Sequence, residues 1–207
     1  MAEKFFDHVY KAKTPKAVTE VYDRFAEGYD DAVTQGGYAT PARLAALLAR
    51  HVPAAATGPV LDFGCGTGLS GVAFAEAGFA HLHGCDPSAA MLAQAQKRGV
   101  YEKLWAFDLE APPDAAVMRA TYPVIAAVGV VSVGAAPAQV LHDLVEATRV
   151  GGHLIFSYNS HTLEDADYMT ALETVLARDD ITLIAREDGP HLPALGMISA
   201  VFLVHKQ

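Results

Sequence analysis

Apolar positions in this chain follow two rhythms. Near the N-terminus, Val18, Tyr22, Phe25 and Tyr29 recur at i, i+4, i+7 and i+11, the spacing that lines one face of a helix. Residues 4–34 are predicted helical with a break at Thr14-Pro15, where Thr14 suits a cap and Pro15 the first turn; Gly36-Gly37 ends the run. A second helix is predicted from Thr40-Pro41 to about Arg50, with Leu44, Leu47 and Leu48 on one side. From Val60 onward the rhythm changes. Short apolar runs at 60–63, 81–85, 103–107, 124–131 and 153–158 read as strands, and helix-period segments at 68–77, 88–98, 137–149 and 164–178 lie between and after them. A short helix is also predicted within 112–120, after Pro112-Pro113. The run 124–131 is nearly all apolar, as a strand buried on both faces should be. Two last runs, 181–186 and 197–204, flank a loop with Gly189-Pro190 and Pro193, and read as an antiparallel pair closing the sheet. Strand–helix alternation of this kind predicts an α/β fold with a mostly parallel sheet between two helical layers. Ligands of such sheets bind beyond the carboxyl ends of the strands.

Composition narrows the function. A length of 207 residues suits one domain, and a hydrophobic fraction of 52% is enough to fill its core. The formal charge of −9 argues against nucleic acid as a partner, since that surface is normally basic. No apolar run approaches the length needed to span a bilayer. Residues 1–13 carry Glu3, Lys4, Asp7, Lys11 and Lys13, unlike a signal peptide, so a cytoplasmic location is expected. Cys65 and Cys85 do not form a disulfide framework and are expected as free thiols. His81, His83 and Cys85 alternate on one strand face, but no fourth ligand stands at useful spacing, so no metal is expected.

The chemistry concentrates at Val60-Leu61-Asp62-Phe63-Gly64-Cys65-Gly66-Thr67-Gly68, a strand running into a glycine turn and a helix start. Gly66 to Gly71 formally match the dinucleotide pattern G-x-G-x-x-G, with Asp86 as the acid about 20 residues on. Asp62 discriminates against that reading. A carboxylate at the strand tip disfavours a pyrophosphate, whereas it favours the α-ammonium of S-adenosylmethionine, whose carboxylate the turn's backbone N–H groups are expected to hold. Asp86 suits the ribose hydroxyls of either ligand.

Residues Val60 to Gly68 resemble the first motif of the class I S-adenosylmethionine-dependent methyltransferases. Gly84-Cys85-Asp86-Pro87-Ser88-Ala89-Ala90-Met91-Leu92 resembles their second, Phe107-Asp108-Leu109 the segment that meets the adenine, and Arg149-Val150-Gly151-Gly152-His153-Leu154 the turn into strand five. One departure is Tyr122-Pro123-Val124, where the family commonly has an aromatic-acid pair. Residues 22–30 and 38–41 resemble a lid found in small-molecule methyltransferases, nearest in kind to the Williams–Beuren region methyltransferase-like group. The resemblance implies a Rossmann-like, seven-stranded sheet with an antiparallel last strand. It also implies a helical lid over residues 1–52 and a cofactor-binding region over 53–207, within one domain.

The resemblance further assigns roles. Asp62, Gly64, Cys65 and Gly66 would hold the methionine part of S-adenosylmethionine, Asp86 its ribose, and Pro87, Met91, Asp108 and Leu109 its adenine. Val128, Gly129 and Val130, at the end of the fourth strand, would lie near the methyl donor, with Tyr22, Tyr29 and Tyr38 covering it. Ser132, Tyr158, Asn159 and His161 are candidates for the acceptor side, and only His161 has an ordinary pKa suited to base work near neutrality. No Asn-Pro-Pro-Tyr or Asp-Pro-Pro-Tyr run follows strand four, which argues against methylation of nucleic-acid bases. The expectation is methyl transfer to a small-molecule acceptor. The alternatives are a protein of the same fold that binds S-adenosylmethionine or S-adenosylhomocysteine without turnover, and a nicotinamide oxidoreductase.

Overall fold

The computed structural model describes residues 8–9, 14–54, 58–108 and 122–207. Helix α1 spans Pro15–Gly36: the Thr14 side chain accepts the Ala17 N–H at 3.2 Å, and Gly37, at φ 75°, closes the helix in the left-handed region. Helix α2 (Thr40–His51) buries Leu44, Leu47 and Leu48 completely. The alternating region then runs β1 (Val60–Phe63), α3 (Leu69–Glu76), β2 (Leu82–Asp86), α4 (Ala89–Arg98), β3 (Lys103–Ala106), β4 (Tyr122–Ala127), α5 (Gln139–Ala147), β5 (Thr148–Asn159), α6 (Ser160–Leu163), α7 (Ala166–Leu176), β6 (Ile181–Leu192) and β7 (Met197–Lys206). A 3-10 turn at Pro193–Leu195 joins the last two strands.

The seven strands form one sheet in the order β3-β2-β1-β4-β5-β7-β6. Pairings from β3 to β5 are parallel, and β7 runs antiparallel to both β5 and β6. Strand alternation divides the core into two layers. Leu61, Phe63, Ile125, Ala127, Phe156, Tyr158 and Phe202 face α5 and α7. Val60, Leu82, Val124, Ala126, Ile155, Val201 and Leu203 face the other way, where α2 and Phe74 of α3 pack. Asp62 lies on that second face, in step with Val60.

Three strand boundaries differ from the sequence expectation by more than two residues, each for a local reason. Strand β4 stops at Ala127 rather than continuing to Val131, because the chain turns at Gly129 (φ 72°) and the Gly129 N–H donates to Ser157 Oγ at 3.0 Å. Gly129 is therefore a turn residue after the strand, not a glycine within it. Strand β5 begins at Thr148, not His153: Tyr122 pairs with Thr148 and Val124 with His153, so the intervening Arg149–Gly152 segment bulges, with Gly151 at φ 74°. Strand β6 runs through Gly189-Pro190, expected as loop, to Leu192. It is the edge strand, where a missing proline N–H costs little. Arg43 of α2 braces it by donating to the carbonyls of Glu187 (2.7 Å) and Pro190 (3.0 Å). The helix expected within 112–120 lies outside the described residues. Among the described residues, no helix is long and apolar enough to cross a membrane.

Candidate active site

A cavity of about 610 Å³ opens at the carboxyl ends of β1, β2, β3 and β4. Its floor is Gly64, Gly66 and Asp86. The turn that carries the two glycines is anchored through its own amides. Gly64 and Cys65 N–H both donate to the Cys85 carbonyl (2.8 and 3.0 Å), Gly66 N–H to Asp86 Oδ2 (2.9 Å), and Gly68 N–H to the Cys65 carbonyl (2.9 Å). Three of these amides, those of Gly64, Cys65 and Gly66, tie the turn to β2, and the fourth closes the turn on itself, so none of the four points unpaired at the cavity. The glycines are needed for space and backbone angle. A Cβ on Gly64 (φ 68°) would stand 2.3 Å from Val130 Cγ2, while one on Gly66 (φ 54°) would meet no protein atom within 4 Å on the cavity floor.

Asp86 ends β2. Its Oδ2 accepts from Gly66 N–H and its Oδ1 from Ser88 N–H, both at 2.9 Å. A carboxylate has about four acceptor sites, so roughly two remain on the cavity side. Burial pushes the Asp86 carboxyl up to about 6, against the pull of those two N–H groups. Asp62 is wholly buried behind the turn and is not on the cavity wall. Its Oδ2 accepts from Ser70 Oγ and Tyr101 OH, each at 2.6 Å, whereas Oδ1 is buried with no partner among the described residues. Burial pushes this carboxyl up to about 6 as well, with the two hydroxyls opposing.

These two acids make the stability of the free protein pH-dependent. Their folded pKa values lie above the ordinary value of 3.8, so the folded state binds protons more tightly than the unfolded state. The stabilisation is complete below pH ~4 and is lost as pH rises through ~6. Replacing Asp62 by Asn should therefore remove about 1.3 kcal/mol of the stability change between pH 7 and pH 5, measured by urea unfolding at the two pH values.

Beside the floor, Pro87, Met91 and Phe107 make an apolar slot, and Phe107 packs on Phe63 with ring centroids 4.8 Å apart. Val128, Gly129 and Val130 form the far end. Helix α1 contributes Val18, Thr19, Tyr22 and Tyr29, and the following loop Tyr38. Two acids seven residues apart hold α1 across α4. Asp23 accepts from Ser88 Oγ and, at 3.4 Å, from Ala90 N–H; Asp30 accepts from Thr67 Oγ1 (2.5 Å) and pairs with Arg98. Burial pushes the Tyr29 and Tyr38 hydroxyls well above their ordinary values, so both remain neutral donors.

Eleven of the residues expected from sequence thus meet on this wall: Tyr22, Tyr29, Tyr38, Gly64, Gly66, Asp86, Pro87, Met91, Val128, Gly129 and Val130. Cys65 instead lines a small cleft behind the turn, and burial raises its thiol far above the ordinary value, so it is an inert packed group. Asp108 is exposed just beyond β3, with Phe107 taking the wall position; Leu109 lies outside the described residues.

The acceptor-side candidates separate. A second chamber of about 430 Å³ shares Tyr22, Tyr29, Tyr38 and Gly129 with the first and continues to Ser132, Asn159 and His191. Asn159 is on its wall, although its Oδ1 also caps α6 by accepting from Thr162 N–H at 3.0 Å. Tyr158 is a correction: strand alternation turns it to the opposite layer, fully buried against Phe156, Tyr168 and Phe202. His161 is another: it stands exposed on α6 and is on the wall of neither chamber. His191 was not foreseen, because it lies in a segment that reads as loop; the proline and glycine around it mask an edge strand. On β2, His83 Nδ1 is bonded to Tyr122 OH (2.9 Å), and just before the strand His81 Nδ1 is bonded to Glu102 (2.6 Å).

In sequence and in fold, the chain is similar to known methyltransferases. Residues 61–154, spanning β1 to β5, match the model of a methyltransferase domain. The chain is 33% identical to human (Homo sapiens) methyltransferase-like protein 27 over 162 residues, 76% of this chain. It spans 63% of that relative's length. Among solved structures, the domain resembles a Thiobacillus denitrificans S-adenosylmethionine-dependent methyltransferase in complex with S-adenosyl-L-homocysteine (14% identity, TM-score 0.56, 80% of this chain and 91% of that one). It also resembles the ribosomal protein L11 methylase of Lactobacillus delbrueckii subsp. bulgaricus (19%, TM-score 0.55, 79% and 77%) and the [4+2]-cyclase SpnF (15%, TM-score 0.57, 80% and 81%). At such identities the likeness is one of fold, and the fold hosts more than one chemistry.

Proposed function

We propose that this protein is an S-adenosylmethionine-dependent methyltransferase acting on a small-molecule acceptor, of the Williams–Beuren region methyltransferase-like kind. The observation that carries the reading is Asp86, fixed by two backbone N–H groups with its remaining acceptor sites on a cavity wall beside an apolar slot. Ribose hydroxyls suit those sites, and a purine suits Pro87, Met91 and Phe107. Gly66 leaves the backbone bare where the ligand's methionine chain would pass. Asp62, with one oxygen buried and unpartnered, would favour the ligand's ammonium across the turn.

When bound, S-adenosylmethionine supplies a methyl group already activated by its sulfonium. The chain's own work is then alignment and exclusion of water. Gly129 and Tyr38 line both chambers, so the methyl donor and the acceptor would meet beside them. Helix α1, clamped through Asp23 and Asp30, would close the site as a lid. The rings of Tyr22, Tyr29 and Tyr38 would stabilise positive charge near them.

The test is transfer of a tritiated methyl group to a small-molecule extract, followed by size separation. Label in the low-molecular-weight fraction is expected. Bound S-adenosylhomocysteine without labelled product would favour the reading of a binding protein without turnover.

A further inference from the structure

His191 stands at the far side of the second chamber from Asp86, at the end of β6, with its ring edge-on to Tyr38 at a centroid distance of 5.3 Å. Its Nδ1 lies 2.8 Å from Thr40 Oγ1, which lies 3.0 Å from Ser199 Oγ; Arg43 Nη1 donates to that same Ser199 Oγ at 2.8 Å. Thr40 and Ser199 are both fully buried. Proton counting orders this chain. The guanidinium has only protons to give, so Ser199 Oγ accepts from it. Ser199 then has its own proton to place, and Thr40 Oγ1 is its acceptor among the described residues. Thr40, having accepted, donates to His191 Nδ1. The opposite order would leave a buried hydroxyl proton beside the guanidinium with no acceptor, which is costly.

With Nδ1 accepting, the ring's single proton sits on Nε2. That atom has no partner among the described residues and is not among their fully buried orphan atoms, so it meets the chamber. Burial, with Arg43 nearby, pulls the ring's pKa down to about 4, so the ring is neutral. The chamber's described wall carries tyrosines, Ser132, Asn159 and aliphatic groups, and no Asp, Glu, Lys or Arg. The charges that act on its shared tyrosines are the carboxylates of Asp30, Asp62 and Asp86, which disfavour an anion.

We propose that His191 is a fixed hydrogen-bond donor to the methyl acceptor, presenting Nε2–H to an oxygen of an uncharged, flat molecule held between the tyrosines. Arg43, Ser199 and Thr40 are positioning residues that set its tautomer, and the cationic end of the chain strengthens each bond along it. The inference rests on the proposed function and deepens it by naming the acceptor class.

Long-range ¹H–¹⁵N correlation of the imidazoles reads the tautomer directly, with His191→Gln identifying the signal. An Nε2–H pattern is expected from pH 5.5 to 8, and Thr40→Val should mix the two tautomers. An Nδ1–H pattern, or titration near pH 6.5, overturns the assignment. The acceptor class is tested on S-adenosylhomocysteine-loaded protein with three probes of one shape: 4-hydroxyphenylacetamide, 4-hydroxyphenylacetate and tyramine. The amide should shift the His191 Nε2–H signal and bind at least tenfold more tightly than either charged probe. His191→Phe should weaken the amide about tenfold, and His191→Gln, which keeps a donor, should restore most of that. Equal binding of a charged probe, no shift at His191, or no binding of the amide at millimolar concentration overturns the proposal. Failure of S-adenosylhomocysteine itself to bind contradicts the proposed function instead, and the tautomer stays readable in the free protein.

Discussion

Replacing Asp86 by Ala is expected to weaken S-adenosylhomocysteine binding about 100-fold. Two hydroxyl bonds to a charged acceptor, each contributing about 1.5 kcal/mol, give roughly that factor. The same change leaves the Gly66 and Ser88 N–H groups without their acceptor, yet removes a carboxylate whose burial already disfavours its charge. These effects on the fold oppose each other, so the free protein's unfolding midpoint in urea should move little. Calorimetric titration alongside the urea curve separates the outcomes. Unchanged affinity removes Asp86 from the ribose; a collapsed midpoint makes it a structural residue first.

Gly64→Ala is expected to destabilise the fold by about 3 kcal/mol. The residue sits at φ 68°, where an L side chain costs ~1–2 kcal/mol, and the new Cβ would stand 2.3 Å from Val130 Cγ2 and 2.7 Å from Val130 Cβ. Overpacking of that kind adds ~1–3 kcal/mol. The neighbour cannot yield easily, since Val130 belongs to the tight turn in which its carbonyl accepts the Ala136 N–H at 2.8 Å. A loss of about 3 kcal/mol corresponds to a drop in Tm of roughly 10 °C for a domain of this size. Gly66→Ala is the informative contrast. It carries a similar φ penalty but meets no protein atom, so it should cost less stability and more affinity, because its methyl would stand where the ligand passes. Equal damage from both changes would contradict this division of roles.

Much of this architecture was legible because the local rules agree. Val60 to Phe63 are apolar apart from one acid, glycines follow at once, and Ser88 and Thr14 cap the helices they precede. The ligand floor was legible for the same reason, since a strand tip, a glycine turn and Asp86 are close in sequence and adjacent in space. What the sequence did not reveal depends on long-range packing. Whether Tyr158 faces a cavity is set by strand parity against α7, and its period alone names no face. Asp62 looked like a ligand contact, yet Ser70 and Tyr101 enclose it, and Tyr101 is 39 residues away. His191 depends on Thr40, 151 residues distant, and on Arg43 holding an edge strand whose Gly189-Pro190 reads as a loop. Gly189 itself leaves room for the guanidinium, 2.9 Å from where a Cβ would stand.

The cavity over Gly64, Gly66 and Asp86 is expected to hold the methyl donor. Titrating the wild-type chain with S-adenosylhomocysteine, and separately with NADH, tests it most directly. One-to-one binding of S-adenosylhomocysteine with no response to NADH is the predicted result. Tight binding of NADH with no response to S-adenosylhomocysteine would contradict it.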